Sequence, residues 1–321
     1  MTGITSKDAP ALSAACLGPD GTFSQAAGLT YLQHPDFAGI YPEKNFRCFP
    51  CPDLPSVFQA VEEGNCALGI VPLENTLGGT VGQSFDLLLR HDFTILAEFY
   101  ARISHCLLSR ASDKSSVRAV YSHPQALGQA GNWLRRNLPG VKFILADSTA
   151  GAAARAAREE DGAAVGHLRL ASLYRLRILA QAIEDSPDNW TRFVLVGKSS
   201  TRNGRSRTGA SPEGYRSSLL FTLDHRPGTL ARLLQIPAAA GINLFRLESR
   251  PLLWSGINWQ YAFFADVEGD MLNPALIPAL EDMRSACLNL RLLGAYPQGP
   301  YLDELSGEEP AETKAGADAA P

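Results

Sequence analysis

At 321 residues the chain is long enough for two domains, each with a buried core of its own. Hydrophobic residues make up 45% and charged residues 19%, and no run of 18 apolar residues occurs, which excludes a disordered chain and a helical membrane span. Net charge is −4, but residues 302–321 hold six acids and one base, so the other 301 are nearly neutral, with 27 acids against 28 bases; a broad nucleic-acid-binding surface is therefore not expected.

The first ten residues carry Lys7 and Asp8 but no apolar or Arg-rich amphipathic run, so no export signal is legible and a cytoplasmic setting is the expectation. Residues 14–17, 67–71 and 117–121 are short apolar runs ending at Gly- or Pro-containing turns, each followed by a helical pattern, as in α/β architecture. Helices are predicted over 55–63, stopped by Gly64, over 124–137, stopped by Pro139-Gly140, and over the Ala-rich stretch 148–159. Residues 199–214 lose nearly all apolar content and read as a linker. Beyond it the order strand 218–223, helix 228–240, strands 242–248 and 261–267, helix 274–287 and strand 289–295 is the ferredoxin-like plan. The acidic segment 298–321 is expected to be disordered. Cys48-Phe49-Pro50-Cys51 has ligand-like spacing, but without a second such pair or a His pair it reads as free thiols, and no metal or cofactor is expected.

Each strand end in the first half carries small polar side chains, where open α/β sheets bind ligands. Gly18-Pro19-Asp20-Gly21-Thr22-Phe23-Ser24 offers a tight turn and two hydroxyls, with Thr22 or Ser24 able to cap a helix while facing a ligand. Pro72-Leu73-Glu74-Asn75-Thr76-Leu77-Gly78-Gly79-Thr80 follows the second strand with a carboxylate, an amide and hydroxyls; Thr76 and Thr80 serve equally as caps or ligand contacts. Ser122-His123-Pro124-Gln125 repeats the theme, and His123, with no acid or nucleophile beside it, reads as a packed or capping residue rather than a base. Asn189-Trp190-Thr191-Arg192-Phe193 precedes a strand.

In this order the four segments resemble prephenate dehydratase, over about residues 13–297. Past the linker, Arg226-Pro227-Gly228-Thr229-Leu230, Gly241-Ile242-Asn243 and Glu248-Ser249-Arg250-Pro251 resemble the phenylalanine-sensing ACT domain of that family. The resemblance implies an α/β bilobal catalytic domain, similar in plan to periplasmic binding proteins, over 13–198. Lobe I is formed by about 13–100 and 176–198, lobe II by about 101–175, with the cleft between them; an α+β ferredoxin-like ACT domain follows over 215–297. It implies decarboxylative dehydration of prephenate to phenylpyruvate, feedback-regulated by L-phenylalanine; arogenate as substrate, or a non-catalytic sensing module, are the alternatives. Thr191 is expected to donate to the departing hydroxyl. Asn75, Ser122 and Gln125 would orient the substrate, and Thr22, Ser24 and Phe193 would complete the wall. Arg192 pairs either with a substrate carboxylate or with Glu74. Arg226, Gly228, Thr229, Leu230 and Asn243 would hold the effector between two such domains, in a homodimer or homotetramer. Glu248, Ser249 and Arg250 would couple that site to the hinge, or merely pair on a sheet face. Segment 252–258 is assigned no role.

Overall fold

The computed structural model describes residues 12–41, 46–198, 214–252 and 260–305. Most of the predicted linker (199–213), the segment 253–259 and residues 306–321 lie outside these. In lobe I, β1 (Leu12–Leu17) leads through the Gly-Pro turn into α1 (Phe23–Leu32), whose first turn is capped by Thr22. The Thr22 hydroxyl also donates to Leu17 O at 2.7 Å, fastening helix start to strand end. Then come α2 (Pro35–Ile40), β2 (Phe46–Cys51), α3 (Leu54–Glu62), capped by Asp53, β3 (Leu68–Asn75), the two-residue β4 (Gly79–Thr80), α4 (Gly82–Arg90) and β5 (Phe93–Arg102). The chain crosses to lobe II for β6 (Cys106–Ser109), β7 (Ala119–Ser122), α5 (Pro124–Gln129), α6 (Gly131–Asn137), β8 (Lys142–Leu145), α7 (Thr149–Ala156), β9 (Gly162–Gly166), α8 (Arg169–Tyr174) and β10 (Arg177–Ala180). It returns to lobe I as β11 (Trp190–Lys198). The C-terminal domain is β12 (Tyr215–Thr222), α9 (Thr229–Ala239), β13 (Leu244–Pro251), β14 (Tyr261–Glu268), α10 (Ile277–Ala286) and β15 (Asn289–Pro297), after which β16 (Tyr301–Leu302) closes the described chain.

Three sheets organise these elements. The lobe I sheet runs β16-β5-β11-β3-β1-β2, with β4 paired on β3; the lobe II sheet runs β10-β6-β9-β7-β8; the C-terminal sheet runs β13-β14-β12-β15, the ferredoxin-like order. The two crossovers, 103–105 and 181–189, run side by side, tied by Ile103 N to Asn189 O (2.7 Å) and Ile183 N to His105 O (3.0 Å). They form the hinge of a bilobal, periplasmic-binding-protein-like domain.

Four expectations are corrected. The second strand does not stop at Pro72: β3 continues to Asn75, and Pro72 sits where the register to β11 shifts, a place where a missing N–H is tolerated. The helix expected over 124–137 breaks at Ala130, because the Asp185 carboxylate from the returning crossover accepts from Asn132 N and Trp133 N and starts a new helix there. Lobe II extends to Ala180, since β10 pairs with β6. The segment from 298 is ordered through Leu305: β16 adds a parallel strand to β5, with Tyr301 stacked on Tyr100 at 4.5 Å and Leu302 buried against the core beneath.

The C-terminal sheet is covered by α9 and α10 on one face and lies on lobe I with the other. Leu220, Ala262, Phe264, Leu293 and Tyr296 join one hydrophobic cluster with Val71, Leu73, Phe85, Val194 and Val196 of lobe I. The approach is close enough that a Cβ on Gly294 would fall 2.1 Å from Ile95 O.

Candidate active site

β11 and β3 run antiparallel with Thr191 opposite Asn75 and Arg192 opposite Glu74. Because side chains alternate across a strand, one pair faces one way and the next pair the other. Thr191 and Asn75 share a face, both nearly buried, and Asn75 Nδ2 donates to Thr191 Oγ1 at 3.0 Å. Asn75 is held rigidly: its Oδ1 accepts from Leu77 N (3.1 Å) and Gly78 N (2.7 Å), and its Nδ2 also reaches Asn189 Oδ1 (2.9 Å) and Trp190 O (3.0 Å). Swapping its oxygen and nitrogen would set donors against donors. Thr191 Oγ1 therefore accepts from Asn75, and its own proton stays available for donation.

Across the hinge lies a hollow of about 350 Å³ lined by Leu77, Gly78, Gln125, Gln129, Asp185 and Ser186 among others. Gln125 Nε2 reaches the Asn75 loop: a Cβ on Gly78 would sit 2.6 Å from that nitrogen and 3.2 Å from Asn75 Oδ1. Asn75 and Gln125 thus meet around Gly78 at the edge of this hollow, and Thr191 stands one hydrogen bond further back, on Asn75. Gln129 was not among the expected residues. It lies one helical turn beyond Gln125, on the same face of α5, and that i, i+4 spacing is the signal that finds it. Its Oε1 is 2.8 Å from His105 Nε2.

Other expected residues take different places. Ser122 is fully buried and its hydroxyl donates to Val165 O at 2.6 Å, fastening β7 to β9 rather than facing a substrate. Phe193 stacks on Phe99 at 5.4 Å in the lobe I core, so it forms no cleft wall. Ser24 is buried in the first turn of α1 and Thr22 is its cap. His123 Nδ1 accepts from Gln125 N, capping α5.

Arg192 and Glu74 point away from the cleft, toward the C-terminal domain, so neither holds a substrate carboxylate there, and they do not pair with each other. Arg192 Nε donates to Glu98 Oε2 at 2.8 Å and Nη1 to Asp266 Oδ2 at 2.5 Å, with Nη2 on the Tyr296 hydroxyl at 3.2 Å. Burial alone would raise the Asp266 carboxyl, but the Arg192 charge and its hydrogen bond outweigh burial and hold it below the usual range. Glu74 instead pairs with Arg246 at 3.2 Å.

In the C-terminal domain the expected effector residues separate into three groups. The turn holding Arg226, Gly228, Thr229 and Leu230 leads into α9, where the Thr229 hydroxyl donates to the carbonyl region of Asp224 and Arg226. Asn243 lies at the far end of that helix, about 16 Å away at 1.5 Å per residue over eleven residues. Glu248 and Arg250 face lobe I: Glu248 Oε2 accepts from Thr80 Oγ1 at 3.1 Å, and Arg250 grips Asp86 through two bonds of 3.0 and 2.9 Å, while Ser249 is exposed. Among the described residues no group of three metal-ligating side chains occurs, and Cys48 Sγ lies 3.0 Å from Cys16 Sγ, both thiols free. No described helix is long and apolar enough to cross a membrane.

Residues 14–201 match the family model described as prephenate dehydratase. A bifunctional chorismate mutase/prephenate dehydratase of Aquifex aeolicus (strain VF5) is 36% identical over 287 residues, 89% of this chain and 74% of the relative. Among solved structures, a prephenate dehydratase from Arthrobacter aurescens in complex with L-Phe is 28% identical with a TM-score of 0.75, covering 89% of this chain and 90% of that one. GqqA, described as a novel type of quorum quenching acylase, is 28% identical with a TM-score of 0.75, covering 89% and 98%. The chain, with its hinged cleft and its ordered motifs, belongs to the prephenate dehydratase family, whose enzymes turn prephenate into phenylpyruvate.

Proposed function

We propose that Thr191, held by Asn75, donates to the departing ring hydroxyl of prephenate while Gln125 and Gln129 receive the opposite end of the molecule. In the reaction the bond to the ring carboxylate breaks and its electron pair enters the ring; the carbon–oxygen bond breaks and the hydroxyl leaves with its pair, taking one proton to become water. The dianion and one proton give phenylpyruvate, carbon dioxide and water. Aromatisation drives the step, so what remains for the protein is orientation and stabilisation of the leaving oxygen. A threonine is too weak an acid to be a proton reservoir, so its part is polarisation and relay from solvent.

The Asn75–Thr191 hydrogen bond, reached from the cleft through Gly78, carries this reading. An acylase-like role would need a base to take the Thr191 proton; the partner on its oxygen is an amide donor. Thr191→Ala is expected to lower kcat about a hundredfold or more with the melting temperature nearly unchanged, and Thr191→Ser to keep much of the activity. Phenylpyruvate formation and thermal melts check this, and undiminished turnover in the alanine variant would remove the assignment.

The C-terminal domain is assigned as an ACT regulatory domain. The turn 226–230 and Asn243 lie at opposite ends of one domain, so two copies placed head to tail would bring them together around an amino-acid zwitterion, which supports phenylalanine binding in a dimer or a dimer-based tetramer. The six unbridged cysteines fit a reducing, cytoplasmic setting.

A further inference from the structure

Gln129 presents an amide whose two ends are chemically opposite, and only one end can face the hollow. His105 decides which. It sits on the first crossover, 2% exposed, with Nε2 on Gln129 Oε1 at 2.8 Å and Nδ1 without a partner. Its backbone N–H donates to Glu184 Oε2 of the second crossover at 2.8 Å, and its ring meets the Phe23 ring edge-on at 5.2 Å. Burial holds the imidazole below its ordinary range, against the opposing pull of Gln129 and Glu184, so it is neutral with one N–H. That proton belongs on Nε2: on Nδ1 it would be a buried donor with no acceptor, a costlier fault than a bare lone pair. A donor on Nε2 fixes Oε1 of Gln129 toward His105 and leaves the Gln129 NH₂ for the hollow.

We infer that His105 is a positioning residue for substrate choice: it locks the Gln129 amide so that the cleft presents N–H donors, and not a carbonyl, to the end of the substrate opposite Thr191. This rests on the reading that Thr191 meets the ring hydroxyl. The hydroxyl and the carbon bearing both the ring carboxylate and the three-carbon side chain stand para across the ring, so with one end at Thr191 the other points to α5. Donors there suit carboxylates and the side-chain keto oxygen of prephenate, while the Asp185 carboxylate that also lines the hollow is taken up by Asn132 N and Trp133 N at the start of α6. A carbonyl there would suit the side-chain ammonium of arogenate.

The test is kinetics of the full chain with both substrates. His105→Phe keeps the packing on Phe23 and removes the donor; KM for prephenate should rise about tenfold with kcat changed less, and the kcat/KM preference for prephenate over arogenate should shrink. His105→Phe combined with Gln129→Ala should be no worse than Gln129→Ala alone, because the histidine acts through the glutamine. Gln129→Glu, which replaces the NH₂ by oxygen and keeps an acceptor on His105 Nε2, should reduce kcat/KM for prephenate far more than for arogenate, and it tests which end of the amide faces the hollow if His105→Phe does not fold. Additive losses in the double variant, or a substrate preference unchanged in Gln129→Glu, overturn the inference. Wild-type protein and Thr191→Ala run alongside: failure of the parent reading appears as undiminished turnover in Thr191→Ala, which is a different result.

Discussion

Gly78 shows how finely the catalytic side chains are spaced. Its N–H holds Asn75 Oδ1, and the place where a side chain would begin is already filled by the Gln125 amide. Gly78→Ala would therefore push Gln125 out of the cleft, and since that amide is the end of a flexible side chain at an exposed position, the fold should barely respond. The expected outcome is a fall in kcat/KM of about tenfold or more with a melting temperature within a degree or two of wild type, measured by steady-state kinetics and thermal melts. The neighbours Thr191 and Arg192 teach the complementary lesson. Read as one motif they look like one site; read at the two-residue repeat of a strand they cannot share a face, and only Thr191 belongs to the cleft. That separation was legible in the residues, because 193–196 already marked the strand. The partners of Arg192 were not: Glu98 and Asp266 lie far along the chain, and nothing local marks them as its counter-charges.

Local chemistry explains why so much of the element order could be read in advance. Thr22, Asp53 and Ser148 each accept from a backbone N–H at a helix start, and Gly64 stops α3 at a φ of +79°. Where the outcome depended on another part of the chain, the local reading failed. Asp185 splits one expected helix into α5 and α6, and the exposed edge of β5 recruits β16 from a segment whose composition looked disordered. The docking of β15 on β5 belongs to the same class, since it depends on the absence of side chains at Gly294 and Gly299, where a Cβ would meet Ile95 O and Glu98 O at 2.1 and 1.7 Å. Backbone cannot give way as a side-chain tip can. Gly294→Ala should destabilise the protein by about 1–3 kcal/mol through overpacking, seen as a lower denaturation midpoint, and a midpoint equal to wild type would show that the sheets have room to part.

Two charge arrangements operate at the scale of the whole molecule, and they respond oppositely to their surroundings. Between lobe I and the C-terminal domain, Arg192 is 4% exposed and Asp266 5% exposed, so deleting the carboxylate in Asp266→Ala would leave Arg192 and Arg216 to share Glu98 as their one carboxylate, an uncompensated buried charge that costs about 3–5 kcal/mol. Urea denaturation should report that loss as one cooperative transition, because the two domains share a hydrophobic cluster; two transitions would show that they unfold separately. His167 stands where lobe I, lobe II and the returning C-terminal segment meet: its ring lies against Phe23 at 5.1 Å, and it hydrogen-bonds the backbone of Leu305. Burial, with Arg169 and His105 adding to it, pushes its pKa down to about 4, so the folded protein keeps it neutral while the unfolded chain protonates it near pH 6.5. Between those values the unfolded state binds more protons, so stability is full above about pH 6.5 and falls as the pH drops, by about 3 kcal/mol when it reaches 4. His167→Gln removes this share of the acid sensitivity and leaves that of the carboxylates. Denaturation midpoints of the variant and wild type, followed from pH 7 to pH 4, should therefore converge or cross as the pH falls; curves that stay parallel would show that His167 is already charged, or solvated, in the folded molecule.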